Sequence, residues 1–246
     1  MSRFDRIMVW GDSLLQGVAL DEESRRYKRL DAEGCVNLVS QKINIPVENF
    51  AHFGFTTEKG RRLLRKRLIL DEKAGLDQSR TLHLICFGGN DTDHYWEEIA
   101  KVPDLEHVSH VSVEDYRRNL TEMIEMIHSK NANVVFMNLP IIDAQRYFRW
   151  FSRDFSEEGR NNVLMWLEYD LYQIYRSHEH YSNVLLNTAR EHGCEVIDVR
   201  TEFLRERSYR DFICSDGIHP NALGHKKIAE KVLSVIREKL PEILSE

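Results

Sequence analysis

Two short segments, near opposite ends of a 246-residue chain, hold the residue types that nucleophilic catalysis requires. The first is Gly11-Asp12-Ser13, which follows an apolar run from Ile7 to Trp10 and precedes Leu14-Leu15-Gln16-Gly17. A serine at the carboxyl end of a buried strand, where a helix begins, presents its hydroxyl to the crevice above the sheet and its N–H to an anion. The second is Ser215-Asp216-Gly217-Ile218-His219-Pro220-Asn221, where an aspartate precedes a histidine by three positions in a turn stiffened by proline. That spacing lets the Asp216 carboxylate reach the His219 ring, fix its tautomer and stabilise the imidazolium formed when the ring takes a serine proton. Ser13 is therefore the candidate nucleophile, His219 its general base and Asp216 the group that orients the base. Taken singly, each segment also reads as structure alone: Asp12 or Ser13 as a helix cap, Asp216 as a turn former, His219 as a helix-start residue.

A hydroxyl attacking an acyl carbon also needs donors for the oxyanion. Gly88-Gly89-Asn90-Asp91 follows another apolar run, and an Asn side-chain amide held by a glycine turn can supply one such donor. Gly54, in His52-Phe53-Gly54, can supply a backbone N–H, as can Ser13 itself. Gly and Asn after strands are common turn formers, so each of these is weak by itself.

The elements that must position these groups follow from the apolar pattern. Short apolar runs at Ile7 to Trp10, Val47 to Ala51, Leu82 to Phe87, Val134 to Leu139 and Val196 to Val199 read as buried strands. Between them lie helix-period segments, the clearest carrying Val113, Tyr116, Leu120, Met123, Ile124 and Ile127 on one stripe, with Ser112 and Asp115 as its capping box. A last helix runs from about Asn221 to Leu240 with Ile228, Val232, Val235 and Ile236 on its apolar face. Strands without polar alternation, interleaved with helices, predict a parallel sheet covered on both faces, a three-layer α/β/α domain. In such sheets the ligand lies beyond the carboxyl ends of the strands, where all four chemical segments fall.

At this point the chain resembles the SGNH (GDSL) hydrolase family, whose four blocks match Gly11-Asp12-Ser13, Gly54, Gly88-Gly89-Asn90-Asp91 and Asp216-Gly217-Ile218-His219 in order over nearly the whole length. The resemblance implies a flavodoxin-like sandwich with a five-stranded parallel sheet, residues 1–246 forming one hydrolase domain. It implies an acyl-serine mechanism through Ser13, His219 and Asp216, with Ser13 N–H, Gly54 N–H and Asn90 as oxyanion donors, and neither cofactor nor metal. The G-x-S-x-G elbow of the α/β-hydrolases is absent, because Leu15 stands two after the serine. The expected activity is hydrolysis of small acyl esters, carbohydrate O-acetyl esters among them. The same triad allows acyl transfer to an alcohol, and a third reading is a binding module without chemistry. Retention of Ser13, Asn90, Asp216 and His219 together argues against the third. Asn138-Leu139-Pro140, at the end of the fourth strand, reads as a plain turn.

Two connections, Thr92 to Val111 and Asp143 to Tyr181, exceed what a crossover needs. The second is rich in aromatic residues, with Trp166, Leu167, Leu171, Ile174 and Tyr175 near helical spacing, and predicts a helical insertion with a small core of its own. It is expected to wall the pocket as a lid, with Trp150 and Phe151 binding substrate and Arg146, Arg149 and Arg153 facing an acidic or hydroxyl-rich ligand, or to form an inter-subunit surface in a homo-oligomer.

Composition narrows the remaining choices. Hydrophobic residues make up 42% and charged residues 30% of the chain, ordinary globular usage that predicts a packed core. A net charge of −6 opposes binding to a phosphate backbone, and the basic run Arg61 to Arg67 is interrupted by Leu63 and Leu64 like the solvated side of an amphipathic helix. Met1 to Trp10 lacks a leader-like apolar stretch, and no run approaches the ~18 apolar residues of a membrane span, so a cytoplasmic protein is expected. Cys35, Cys86, Cys194 and Cys214 lack C-x-x-C spacing and are expected as buried free thiols, while His107, His110, His178 and His180 form no ligand pattern and are expected in packing or surface roles.

Overall fold

The computed structural model describes residues 3–245. In chain order its strands are β1 (Arg6–Gly11), β2 (Val18–Leu20), β3 (Tyr27–Arg29), β4 (Val47–Asn49), β5 (Thr81–Cys86), β6 (Asn133–Met137) and β7 (Glu195–Ile197). Five of these, the five predicted from apolar runs, form one parallel sheet in the order β4-β1-β5-β6-β7. Ile7 pairs with Val47 on one side and Leu82 on the other, and Gly11 at the end of β1 pairs with Cys86. The chain steps from β1 to the edge at β4 and then returns to β5 on the far side of β1. The crossovers therefore leave β1 and β5 toward opposite faces, opening a crevice between their carboxyl ends.

The central strands β1, β5 and β6 are mostly buried on both faces, which is why they carry no polar alternation, while the edge strands β4 and β7 keep Glu48, Asn49 and Glu195 partly or fully exposed. Ile7, Val9, Leu84, Met137 and Ile197 pack under helices Cys35–Ser40 and Ala222–Lys239. Met8, Trp10, Ile85 and Phe136 pack on the other face against residues of helices Thr57–Lys73, Val113–His128 and Tyr172–Glu191. The helix Val113–His128 begins as predicted, with Ser112 Oγ accepting from Asp115 N at 3.1 Å. Its Leu120, Met123, Ile124 and Ile127 are fully buried, each worth roughly 1.5–3 kcal/mol of transfer free energy. The basic run lies on helix Thr57–Lys73 and is tied down by carboxylates: Arg61 pairs with Glu122, and Arg67 with Glu48 and Asp71. Cys35, Cys86 and Cys214 are buried free thiols as expected, whereas Cys194 is only half-buried.

Two parts depart from the sequence expectation. A small antiparallel hairpin, β2–β3, follows the Ser13 helix, with Leu20 opposite Tyr27. Its connection, Asp21-Glu22-Glu23-Ser24-Arg25-Arg26, has no glycine, proline or asparagine to announce a turn; Asp21 Oδ1 instead accepts from Ser24 N and Oγ at 2.9 Å, and Arg25 takes φ 57°. The aromatic segment is helical, but not continuously from Trp166 to Tyr175. Helices Ala144–Phe151, Glu157–Trp166 and Tyr172–Glu191 are separated by turns, the second with Glu168 and Tyr169 in the left-handed region at φ 51° and 56°. This reversal lets Leu167 and Ile174 enter the same cluster as Val163 and Tyr147. Helix Trp96–Lys101, from the first long connection, contributes Trp96 and Ile99 to that cluster, so the two long connections build one cap together. The last cap helix continues into the main core through Tyr181, Leu185 and Ala189.

Candidate active site

β1 ends at Gly11, where a Cβ would lie 2.8 Å from Cys86 O, so the two strand ends approach as only glycine permits. Asp12 then caps the helix Ser13–Gln16, its Oδ1 accepting from Leu14 N at 3.0 Å; the capping role that the bare tripeptide suggested is real, and it belongs to Asp12. This places Ser13 at the first helical position, with Oγ 2.9 Å from His219 Nε2. On the other side of the ring, His219 Nδ1 lies 2.6 Å from Asp216 Oδ2. The other carboxylate oxygen, Asp216 Oδ1, accepts from the backbone N–H groups of Ile218 and His219, both at 3.1 Å, so the three-residue turn closes on its own side chain. Gly217 takes φ 82° in that turn, where a Cβ would meet Asp143 O and Tyr147 N at 2.5 Å, and Asp143 N donates to Gly217 O at 2.8 Å. The cap is thereby fastened to the His219 segment. Ser13, Asp216 and His219 are 9%, 0% and 5% exposed, so the relay is shielded from water except at the serine end.

Asn90 lies in the short helix Gly89–Thr92 after β5. Gly88 precedes it at φ 142°, where a Cβ would lie 2.7 Å from Leu139 Cδ1. Asn90 Nδ2 donates to Asp12 Oδ2 at 3.2 Å and to Phe55 O at 3.1 Å, and Asn90 O accepts from the His110 ring at 3.0 Å. The amide is held beside the serine segment as expected, but both of its N–H groups already have protein acceptors. Gly54 follows β4 at φ 70°, and its loop is pinned to the serine helix by Phe53 N donating to Gln16 Oε1 at 2.8 Å. Phe53, rather than Gly54 itself, lines the cleft.

The cleft encloses about 400 Å³ and is lined by Ser13, Asn90 and His219 together with cap residues. Trp150 and Phe151 both line it, as the sequence suggested. Trp150 is buried and flanked by guanidinium groups, Arg25 at 4.7 Å and Arg153 at 4.3 Å from its ring centre; Phe151 stacks on Trp96 at 4.3 Å. Of the three cap arginines only Arg153 lines this cleft. Arg146 is spent on the carbonyls of Arg210 and Ile213, and Arg149 faces a separate surface pocket. Sequence reasoning missed Tyr27 and Phe53, whose rings lie 4.8 and 6.0 Å from the His219 ring, the latter nearly parallel to it. Nothing local marks Tyr27, because only the unannounced hairpin brings it over the histidine. The plain-turn reading of Asn138-Leu139-Pro140 also needs correction. Asn138 is buried, accepts from Val199 N and Arg200 N and donates to Asp198, locking the ends of β6 and β7 together.

Burial pushes the Asp12 carboxyl up to about 6, an effect partly offset by Leu14 N–H, His219 and Asn90. Burial likewise pushes Asp91 up to about 7, although its carboxylate accepts from Thr57 N and Oγ1. A carboxyl with a raised folded pKa holds its proton more tightly folded than unfolded, so its contribution to stability is full below about pH 4 and is lost as pH rises through about 7. Asp91→Asn should therefore flatten the decline in Tm between about pH 5 and pH 7.5. An unchanged slope in thermal melts would show that Asp91 does not carry it. Among the described residues, no group of three or more His, Cys, Asp or Glu is arranged to hold a metal ion, and no helix is long and apolar enough to cross a membrane.

The family model described as GDSL-like Lipase/Acylhydrolase family matches residues 9–227. The chain belongs to that family. A GDSL esterase/lipase of Arabidopsis thaliana, CPRD49, is 25% identical over 161 residues, which cover 64% of this chain and 55% of that protein. The chain thus spans little more than half of that relative's length. Two solved structures share the GDSL fold. The lipase/acylhydrolase from Enterococcus faecalis superposes with a TM-score of 0.62 at 20% identity, covering 96% of this chain and 97% of that one. A catalytic mutant of an acetylxylan esterase from Geobacillus stearothermophilus superposes with a TM-score of 0.60 at 18% identity, covering 96% and 95%. At such low identity these likenesses establish the shared fold. The family match begins inside β1 and extends past His219, so it contains every residue of the GDSL site described above.

Proposed function

We propose that the chain is a serine esterase that hydrolyses small acyl esters, carbohydrate O-acetyl esters among them, as one hydrolase domain with a helical cap over residues 143–181. The observation that carries this reading is the unbroken relay from Asp216 through His219 to Ser13, at 2.6 and 2.9 Å, at the edge of a cleft of about 400 Å³. Ser13 Oγ forms the bond to the acyl carbon while its proton passes to His219 Nε2. Asp216 stabilises the imidazolium without taking its proton. The oxyanion is held by Ser13 N–H and Asn90 Nδ2, while Gly54, the third expected donor, lies outside the lining of the cleft. Collapse breaks the ester C–O bond, and the departing alcohol oxygen takes the proton from His219. Water then repeats the sequence on the acyl-serine, releasing the carboxylic acid and restoring Ser13. The cleft volume suits a small ester rather than an extended chain.

A fluorophosphonate probe should add one phosphonyl group, mapped by peptide mass to Ser13, and p-nitrophenyl acetate should be turned over faster than long-chain p-nitrophenyl esters. An adduct on a different serine, or none, overturns the assignment. Alanine at Trp150 and Phe151 together should depress turnover of bulky esters more than that of p-nitrophenyl acetate, because those rings wall the cleft without touching the relay. A parallel fall on both substrates, or a change only in oligomeric state on sizing, would give these residues a structural role instead.

A further inference from the structure

The cap helix Tyr172–Glu191 contributes Gln173, Ile174, Ser177 and His178 to the cleft. His178 stands out among them. It is only 5% exposed, its Nδ1 is buried without a hydrogen-bond partner, and among the described residues neither ring nitrogen is engaged. An unsatisfied buried polar atom costs on the order of 1–3 kcal/mol, so a native fold that retains one in a ligand cleft calls for an explanation.

The surroundings define what could satisfy it. Burial, with the Arg200 guanidinium nearby, pushes His178 down to about 3, so the ring is neutral and offers one donor and one acceptor. Arg200 itself is paired with Glu179 and donates to Leu139 O and Pro140 O, which leaves it committed to the fold rather than to an anion. The adjacent Ser177 Oγ and Thr92 Oγ1 are 2.8 Å apart and both residues face the cleft. Gln173 Nε2 is used by Leu167 O, which leaves its amide oxygen as an acceptor. Apart from the Asp93 carboxyl, whose oxygens are taken by the Trp96 indole and the Tyr147 hydroxyl, this end of the cleft is therefore a set of neutral donors and acceptors. Trp96, Phe151 and Trp166 supply flat apolar walls beside it. An anionic ligand would lose its hydration here without gaining a counter-charge, since Arg200 is committed to the fold. A compact ring bearing hydroxyls can lay its C–H face on the aromatics and exchange hydrogen bonds at its edge.

We infer that His178 is a specificity-determining residue that hydrogen-bonds a hydroxyl of the substrate away from the scissile ester, selecting esters of neutral polyhydroxylated alcohols such as sugars. The inference rests on the esterase reading of the Ser13 site. Its test compares a monoacetylated methyl xylopyranoside with cyclohexyl acetate, a ring ester without hydroxyls, by the ratio of their kcat/KM values in wild type, His178→Phe and His178→Gln. Wild type should favour the xyloside. His178→Phe, which removes an unpartnered polar ring and should not lower Tm, should reduce that ratio by about tenfold, mainly through KM for the xyloside. His178→Gln, which keeps a donor and an acceptor, should recover part of it. A ratio equal in all three proteins, or no preference for the xyloside in wild type, overturns the inference while the esterase reading stands. If wild type leaves both esters and p-nitrophenyl acetate untouched and takes no fluorophosphonate label, the esterase reading falls and this inference falls with it.

Discussion

Ser13→Ala is expected to lower kcat toward acetate esters by about 10⁴- to 10⁶-fold, the scale seen when the nucleophile is removed from a serine triad. The serine hydroxyl is bonded to His219 Nε2, and that bond serves the chemistry rather than the fold. The helix Ser13–Gln16 keeps its Asp12 cap and its Gly17 C-cap in the variant, so the melting temperature should hold. Fluorophosphonate labelling should disappear with the activity. Activity within tenfold of wild type in a variant confirmed by intact mass would mean that another group attacks the ester. The residual rate that does remain reports what the cleft and the oxyanion donors achieve with water alone.

Asn90→Ala is expected to lower kcat by about 10²- to 10³-fold with little change in KM, as loss of one oxyanion donor does. The structure sharpens this expectation. Asn90 Nδ2 donates to Asp12 Oδ2 and Phe55 O, so stabilising an oxyanion requires one of these bonds to be exchanged as negative charge develops. That exchange is favourable only in the transition state, where the acceptor carries more charge than a carbonyl oxygen, which is why kcat should change and KM should not. The substitution also removes a hydrogen bond that lowers the Asp12 pKa, so the buried carboxyl should be driven further above its ordinary range. A fall in kcat/KM carried by KM alone would make Asn90 a ground-state contact, and the oxyanion role would be withdrawn.

The sequence by itself determined the layer architecture and the relay. Five short, mainly apolar runs without regular polar alternation imply a parallel sheet covered on both sides, and the observed order β4-β1-β5-β6-β7 has that form. The Asp216-to-His219 spacing was legible for a similar reason: a three-residue turn brings the two side chains together whatever the rest of the chain does, and the turn closes through local bonds to Ile218 N and His219 N. The Ser112 cap of helix Val113–His128 belongs to the same class.

What only the tertiary structure decided depends on residues distant in sequence. The hairpin β2–β3 has no glycine, proline or asparagine in its turn to predict it, yet it carries Tyr27 to within 4.8 Å of the His219 ring. The cap reads as one insertion in the sequence but is built from two, since Trp96 and Ile99 pack with Tyr147, Val163 and Leu167 across about fifty to seventy positions of chain. Asn138, read as part of a plain turn, became a lock because β6 and β7 end side by side. His178 was one histidine among several without a pattern, and its character arises from burial, a cleft and the lack of a partner. Periodicity and short spacings report the local geometry of backbone and turns, although the near-helical spacing from Trp166 to Tyr175 is interrupted by the turn at Glu168 and Tyr169. Long-range packing sets which walls enclose the serine, and no local pattern encodes it.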